Sequence, residues 1–431
     1  MIYALLKYLH RSGIDFPGMG LMNYLSFRAM LVGVFAIFIT FCIGMPYIRM
    51  MQRRQLGETI RDLGLEGQLS KKGTPTMGGV IIIFSILLPV LLFCDLSNIY
   101  LQLLVITLLW CGALGFADDY IKVFRHNKEG LPAKAKLAAQ VALGLAIGVT
   151  VCFNNGIVVR EKVPIPAAAE TESVRTLDSE PVQKNTPWME EDVVKSTKTT
   201  IPFIKDNEFD YKWLSPVKGT WGWYCKWAIY VLMIVFVITA CSNGANLTDG
   251  MDGLSAGVSA IVGIVIMILA WLGGNLVNSN YLNIMYIPGS GEVAIFMAGF
   301  VGALIGFLWY NSFPAQVFMG DTGSLTIGGI IGVSAILIRK ELLLPLLCGI
   351  FLIESLSVII QRVWFKYTKK KYGEGRRVFK MSPLHHHYQK EGIPAAISKP
   401  ERALPEAKIV ARFWIVGLML GVATLALLKV R

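Results

Sequence analysis

Apolar residues along this chain fall into long runs, and most charged residues are confined to the stretches between them. Ten such runs lie near 27–48, 78–95, 99–117, 135–153, 226–241, 254–272, 293–310, 323–339, 342–365 and 410–429. Each approaches the roughly 17–25 residues that a helix needs to cross the hydrocarbon core of a bilayer. That core offers no water to backbone polar groups, so helices are the structure such runs predict. The expected fold is an all-α polytopic membrane protein of about ten transmembrane helices, with both termini on one side.

Composition agrees with this pattern. Of 431 residues, 54% are hydrophobic and 16% charged, and the mean hydropathy is +0.55. The seven cysteines show no paired spacing and fall mostly in or beside apolar runs, so they read as small buried hydrophobes. Lys and Arg set the orientation. Arg49, Arg53, Arg54, Arg61, Lys71 and Lys72 fill the first loop, Lys122, Arg125, Lys128, Lys134 and Lys136 the third, and Lys366, Lys369, Lys370, Lys371, Arg376, Arg377 and Lys380 the ninth. These loops are expected in the cytoplasm and both termini outside. The net charge of +12 points to membrane lipids or phosphorylated substrates. It does not point to nucleic acid, because the basic residues sit between spans. Residues 1–431 read as a single membrane domain with one outlier, an extended external loop over 154–225 that is polar and dotted with proline. The reading there is structural or disordered, with no catalytic pattern.

Candidate chemistry gathers on the predicted cytoplasmic face. The central stretch is Asn246-Leu247-Thr248-Asp249-Gly250-Met251-Asp252-Gly253-Leu254. If it is helical, Asp249 and Asp252 share a face and suit a hard cation; otherwise it is a solvated turn. Lys71-Lys72-Gly73-Thr74-Pro75-Thr76-Met77-Gly78-Gly79 offers cations, hydroxyls and close backbone approach to a phosphate, or merely anchors a helix start. Asp118 and Asp119 close the third run, where they repel each other and oppose a helix dipole, so a cation should compensate. Asp321, in Phe318-Met319-Gly320-Asp321-Thr322-Gly323-Ser324, begins a helix and can face a metal, cap that helix, or both. Phe318 is either interfacial packing or a platform for a flat base. In Ser382-Pro383-Leu384-His385-His386-His387-Tyr388, three consecutive histidines cannot all face one metal, so phosphate contact or proton transfer by one or two of them is expected. Together these residues suit metal-assisted reaction at a phosphate, with one lipid-borne substrate.

Taken in order, KKGTPTMGG, FADDY, NLTDGMDGL, FMGDTGSL and SPLHHHY closely resemble the phospho-N-acetylmuramoyl-pentapeptide transferase family, within the polyprenyl-phosphate N-acetylhexosamine-1-phosphate transferase superfamily. The resemblance spans about residues 25–430 apart from the fourth loop, and five motifs in order are specific. It implies ten spans and a cytoplasmic cleft in a bacterial inner membrane. It also implies Mg²⁺-dependent transfer of phospho-MurNAc-pentapeptide from UDP-MurNAc-pentapeptide to undecaprenyl phosphate, giving lipid I and UMP, and a homodimer. Carried over by motif, Asp321 is the metal ligand. Asp118 and Asp119 lie beside the lipid phosphate, Asp118 as base or as electrostatic support. Lys71, Thr76, Lys122, Lys134, Asn246, Leu247, Asp249 and Asp252 line the nucleotide-sugar cleft. Asn311 and Phe318 match the uracil positions, and His385, His386 and His387 the sugar-phosphate end. The long fourth loop departs from the family's short external hairpin. Two rival readings remain: a GlcNAc-1-phosphate transferase with the same aspartates, and a transporter. The second is disfavoured because the acids sit at span ends and no inverted repeat is visible.

Overall fold

A computed structural model describes residues 1–14, 18–53, 73–125, 127, 129–160, 193–202, 207–217, 219–282 and 284–428. The main helices are α1 (Ile2–Arg11), α2 (Leu25–Arg53), α3 (Gly79–Phe93), α4 (Ile99–Phe124), α5 (Ala133–Phe153) and α6 (Thr220–Thr248). They continue with α7 (Leu254–Gly273), α8 (Gly291–Asn311), α9 (Gly320–Leu337), α10 (Gly349–Tyr372), α11 (Leu384–Gln389) and α12 (Glu406–Leu427). Every apolar run of the sequence becomes a helix, except that 342–365 is bent by 76° between Glu341–Leu347 and α10. Among the described residues, eight helices are long and apolar enough to cross a membrane, or nine with the bent pair. The ninth expected single helix, α3, has 15 residues. The chain is thus an all-α, multi-pass membrane protein.

Two helices form its centre. In their most apolar stretches α8 is 83% buried and α9 89%, against 22% for α2 and 33% for α12, whose apolar side chains therefore face lipid. Lipid tails are as apolar as the side chains, so these helices are held by close packing of small residues more than by a hydrophobic force. Gly79 of α3 shows how close: a Cβ there would lie 2.1 Å from the backbone nitrogen of Gly323 in α9. Ahead of the bundle, α1 buries no residue and behaves as a surface helix, with Lys7 3.4 Å from Asp95 at the end of α3.

Two helix ends extend beyond the sequence boundaries, and both changes matter for the site. α4 runs on past residue 117 to Phe124, so Asp118, Asp119 and Lys122 lie on its last turns rather than in a loop. α6 runs to Thr248, which places Asn246 and Leu247 on a helix. The stretch 249–253 is then a turn, not a helix. Of the two alternatives for Asp249 and Asp252, the turn is the one observed, and they share no helical face, because Gly253, with φ +75°, starts α7 in a new direction.

The fourth loop is partly built. Of it, 161–192, 203–206 and 218 lie outside the described residues. Val159–Arg160 (β1) pairs antiparallel with Val193–Val194 (β2), and Lys198–Thr200 (β3) with Glu208–Asp210 (β4). β3 sits on the end of α9: the Thr200 amide and the Thr199 hydroxyl donate to the Arg339 carbonyl at 3.0 and 3.1 Å. Tyr211 donates to the buried Glu341 at 3.2 Å, and the Arg339 guanidinium lies 4.8 Å from the Tyr230 ring centroid. These contacts satisfy charges that burial would otherwise penalise. Residues 193–202 and 207–214 thus pack on the bundle.

Arg160 and Val193 are paired neighbours, so 161–192 can be replaced by an Asn-Gly hairpin turn without moving either strand. Thermal unfolding in detergent should be shifted by no more than about 2–4 °C by that replacement. Deleting 195–214 should cost far more, because it strips partners from Arg339, Lys340 and Glu341. Equal losses in the two variants would refute this division.

Candidate active site

Three aspartates from two helices meet at one end of the bundle. Asp118, Asp119 and Asp321 each offer a carboxylate oxygen, and the three oxygens lie within 4.8 Å of one another. Asp119 is 4% exposed and is fully occupied. Its Oδ1 accepts from the backbone N–H of Asp321 at 3.1 Å, and its Oδ2 from the N–H and hydroxyl of Thr322 at 2.8 and 2.6 Å. It therefore caps the first turn of α9, whose leading N–H groups have no partner within their own helix. The expectation that Asp321 might cap α9 is corrected: Asp321 lies inside the first turn, and the cap comes from α4.

Asp118 and Asp321 are held together by two lysines. Lys122 Nζ lies 2.6 Å from Asp118 and 3.2 Å from Asp321; Lys136 Nζ lies 3.0 Å from Asp118 and 2.6 Å from Asp321. These are the cations that the paired acids required. Asp118 is fully buried and also accepts from the Leu131 N–H at 2.6 Å. Two glycines keep room for the carboxylates. A Cβ at Gly130 would lie 2.4 Å from Asp118 Oδ1 and one at Gly320 2.6 Å from Asp119 Oδ2, and both residues have positive φ. Lys136 was not among the candidates singled out from the sequence. Lys134, which was, is exposed two positions earlier on α5, where the helical rotation turns it away from Lys136.

Asn246 reaches this cluster directly, and the neighbouring loops are tied to one another. Asn246 on α6 donates to Asp321 at 2.9 Å and to Ser324 at 2.9 Å. Leu247 follows it, half-buried. Asp249 is half-buried at the end of α6, and the buried Asp252 accepts from the Ala315 N–H at 3.0 Å. Asn311 is also buried; its amide accepts from Gly253 N–H at 3.1 Å and donates to the Val317 carbonyl at 2.9 Å, tying the two loops. The strand-like pass of Pro75–Gly79 lies along Phe318 and Met319, with Phe318 N–H donating to Pro75 at 2.8 Å and Gly78 N–H to Phe318 at 2.8 Å. Phe318 is half-buried. Thr76 is buried, and its hydroxyl has no hydrogen-bond partner among the described residues. Lys71 lies outside them.

Four of the five motifs thus form one connected site, and two comparisons bear on what it is. A profile described as phospho-N-acetylmuramoyl-pentapeptide-transferase signature 1 matches residues 71–83, and Glycosyl transferase family 4 matches 195–339. Proteins named phospho-N-acetylmuramoyl-pentapeptide-transferase from Parabacteroides distasonis, Flavobacterium psychrophilum and Porphyromonas gingivalis are 53%, 52% and 51% identical, each over all of both chains. The chain belongs to the phospho-N-acetylmuramoyl-pentapeptide-transferase family. It is a transferase, and the full-length match includes the fourth loop, so the long insertion is shared with these relatives.

Within this family framework the three histidines have different surroundings. His385 is buried and His386 half-buried. His387 is 2% exposed and used at both nitrogens: Nδ1 accepts from the Lys380 N–H at 3.1 Å, and Nε2 lies 2.8 Å from the Lys399 carbonyl. That pattern needs a neutral ring protonated at Nε2 and makes His387 a strut of the 380–400 loop, away from the acid cluster. Burial pushes its pKa below the usual 6.5. The unfolded chain then takes up the proton first as pH falls, so the stability from His387 is present at neutral pH and lost below about 6.5. His387→Ala should lower the midpoint of thermal unfolding more than His386→Ala at pH 7.5, and the gap should shrink at pH 5.5. Equal midpoints at pH 7.5 would remove the strut assignment.

Proposed function

We propose that this site moves phospho-MurNAc-pentapeptide from UDP-MurNAc-pentapeptide to undecaprenyl phosphate, releasing UMP and leaving lipid I in a bacterial inner membrane. The observation that carries this reading is the contact chain through Asp119, Asp321, Asn246, Gly253 and Phe318, which joins four of the five motifs of the family at one end of the bundle. With α3 and the bent pair counted there are ten spans. The Lys and Arg rule then puts this end in the cytoplasm and both termini outside. Residues 1–431 act as one domain, with 154–225 as an external loop, and a homodimer is the assembly the family suggests.

A phosphate oxygen of undecaprenyl phosphate attacks the sugar-side phosphorus of the UDP diphosphate. One P–O bond forms, one breaks, and UMP leaves with the electron pair. The reaction is mostly a matter of position and charge. The donor set is all carboxylate oxygen, which fits a hard divalent cation, and Asp321 with Asp118 would hold it. When bound, Mg²⁺ supplies charge stabilisation to the phosphates. Lys122 and Lys136 already neutralise the same carboxylates and are placed to pass to the phosphates on substrate binding. Asp118 is buried under three donors, which favours electrostatic support over proton removal. Phosphate monoesters are largely ionised near neutral pH in any case. Thr76, Asn246, Leu247, Asp249 and Asp252, with Lys71, line the nucleotide-sugar cleft. Asn311 and Phe318 receive uracil, and His386 is the motif histidine with an accessible edge.

UMP release from purified protein with Mg²⁺ and undecaprenyl phosphate tests this directly. UDP-MurNAc-pentapeptide should give turnover and UDP-GlcNAc none. Asp321→Asn should lower kcat by at least about a thousandfold in a protein with unchanged detergent stability. Release with UDP-GlcNAc alone would transfer the protein to the GlcNAc-1-phosphate branch. Near wild-type turnover of Asp321→Asn would end its role as metal ligand.

A further inference from the structure

Glu354 is fully buried on α10, a helix that contributes none of the motif residues. Both its oxygens meet one residue. Oε1 accepts from the His385 backbone N–H at 3.2 Å, and Oε2 lies 3.1 Å from His385 Nδ1. A carboxylate on one ring nitrogen fixes which edge of the imidazole is presented elsewhere. Nδ1 meets Glu354 at contact distance without an aligned hydrogen bond, and the other edge, His385 Nε2, is buried with no hydrogen-bond partner among the described residues. It points at the 249–253 turn so closely that a Cβ on Gly250 would lie 2.2 Å away. On the opposite flank the His386 ring centroid is 4.2 Å from that of His385.

A buried carboxylate and imidazole are a poor choice for stability alone, since apolar side chains of similar volume often do as well. Their value here is directional. We propose that Glu354 is a positioning residue for the transfer. Clamped on His385, it sets the Asp249–Gly253 turn against the histidine helix and presents His386 to the sugar-phosphate end of the nucleotide substrate. This rests on the transferase reading given above. The clamp acts on the nucleotide-sugar side of the site, because among the described residues no hydrogen bond or ion pair joins Glu354 or His385 to the aspartates and lysines of the acid cluster.

The test uses the full-length protein in detergent and the variants Glu354→Gln, Gly250→Ala and their combination. UMP release is measured while each substrate is varied in turn, and calorimetry reads the Kd of UDP-MurNAc-pentapeptide. Each single variant should raise KM and Kd for that substrate by about tenfold, as small misplacements of a binding element do, with KM for undecaprenyl phosphate within about twofold. Because both changes act through one contact, the losses should not multiply in the double variant. A folded Glu354→Gln with unchanged nucleotide affinity, equal shifts for both substrates, or multiplying losses would overturn the clamp. Should Glu354→Gln fail to fold, Gly250→Ala decides alone: Gly250 is exposed and has no positive φ, so alanine suits its backbone and only the imidazole is disturbed. Wild-type protein that binds the nucleotide without releasing UMP sinks the transferase reading while the variants still judge the clamp. Wild type that neither binds nor turns over removes both.

Discussion

The first turn of α9 points its unpaired N–H groups into protein, and the carboxylate that meets them belongs to another helix. Hydrogen bonds to a charged group contribute about 1.5–3 kcal/mol each, and Asp119 accepts three of them within 3.1 Å. That cap fixes the end of α4 against the start of α9. It works only because the backbones come together: at Gly115 a Cβ would lie 2.2 Å from the Asp321 carbonyl oxygen. Once the two ends are joined, Asp118 and Asp321 must share space, and Lys122 and Lys136 are the charges that make this tolerable. The helix dipole and the two ammonium groups thus divide three carboxylates between them. Asp119 caps α9, whereas Asp118 and Asp321 pair with the two ammonium groups.

This division explains what could and could not be read in the sequence. The apolar runs gave the long helices of the bundle, because membrane length and backbone satisfaction leave a chain few choices. They did not give the helix ends. Asp118, Asp119 and Lys122 are polar, so a hydropathy pattern stops before them, yet protein surrounds that end of α4 and the helix continues. The same holds for Asn246 at the end of α6. Lys136 escaped notice because one lysine in a basic loop looks like another. Its importance comes from α5 standing beside α4, a tertiary fact. Asp119 looked like a second catalytic acid, and only its distances to Thr322 reveal a cap.

The histidine run makes the same point from the other side. Three identical residues in sequence suggested a shared role, with the proviso that one or two would do the work. A short helix turns successive side chains by about 100°, so three neighbours must enter three environments. His385 turns to Glu354 and Gly250, His387 to the backbone of its own loop, and the half-buried His386 to Gln389. Neither partner of the buried pair could be inferred from spacing, since 31 positions separate them.

The lysines set a constraint on how such a site can work. A divalent cation and two ammonium groups compete for the same oxygens of Asp118 and Asp321, and all cannot be satisfied at short distance. Charge balance resolves this when phosphates arrive. The substrates bring negative charge that Lys122 and Lys136 can pair with instead, and Asp118 and Asp321 would then be free to hold a cation that offsets the phosphate charge. The ligand-free arrangement is then a neutralised resting state, in which Lys122 and Lys136 keep Asp118 and Asp321 from repelling each other apart. On this view the affinity for the cation should rise with phosphate bound, because each supplies the charge the other needs. The Asp119 cap holds still throughout, which is what a site that exchanges its counter-ions requires of its frame.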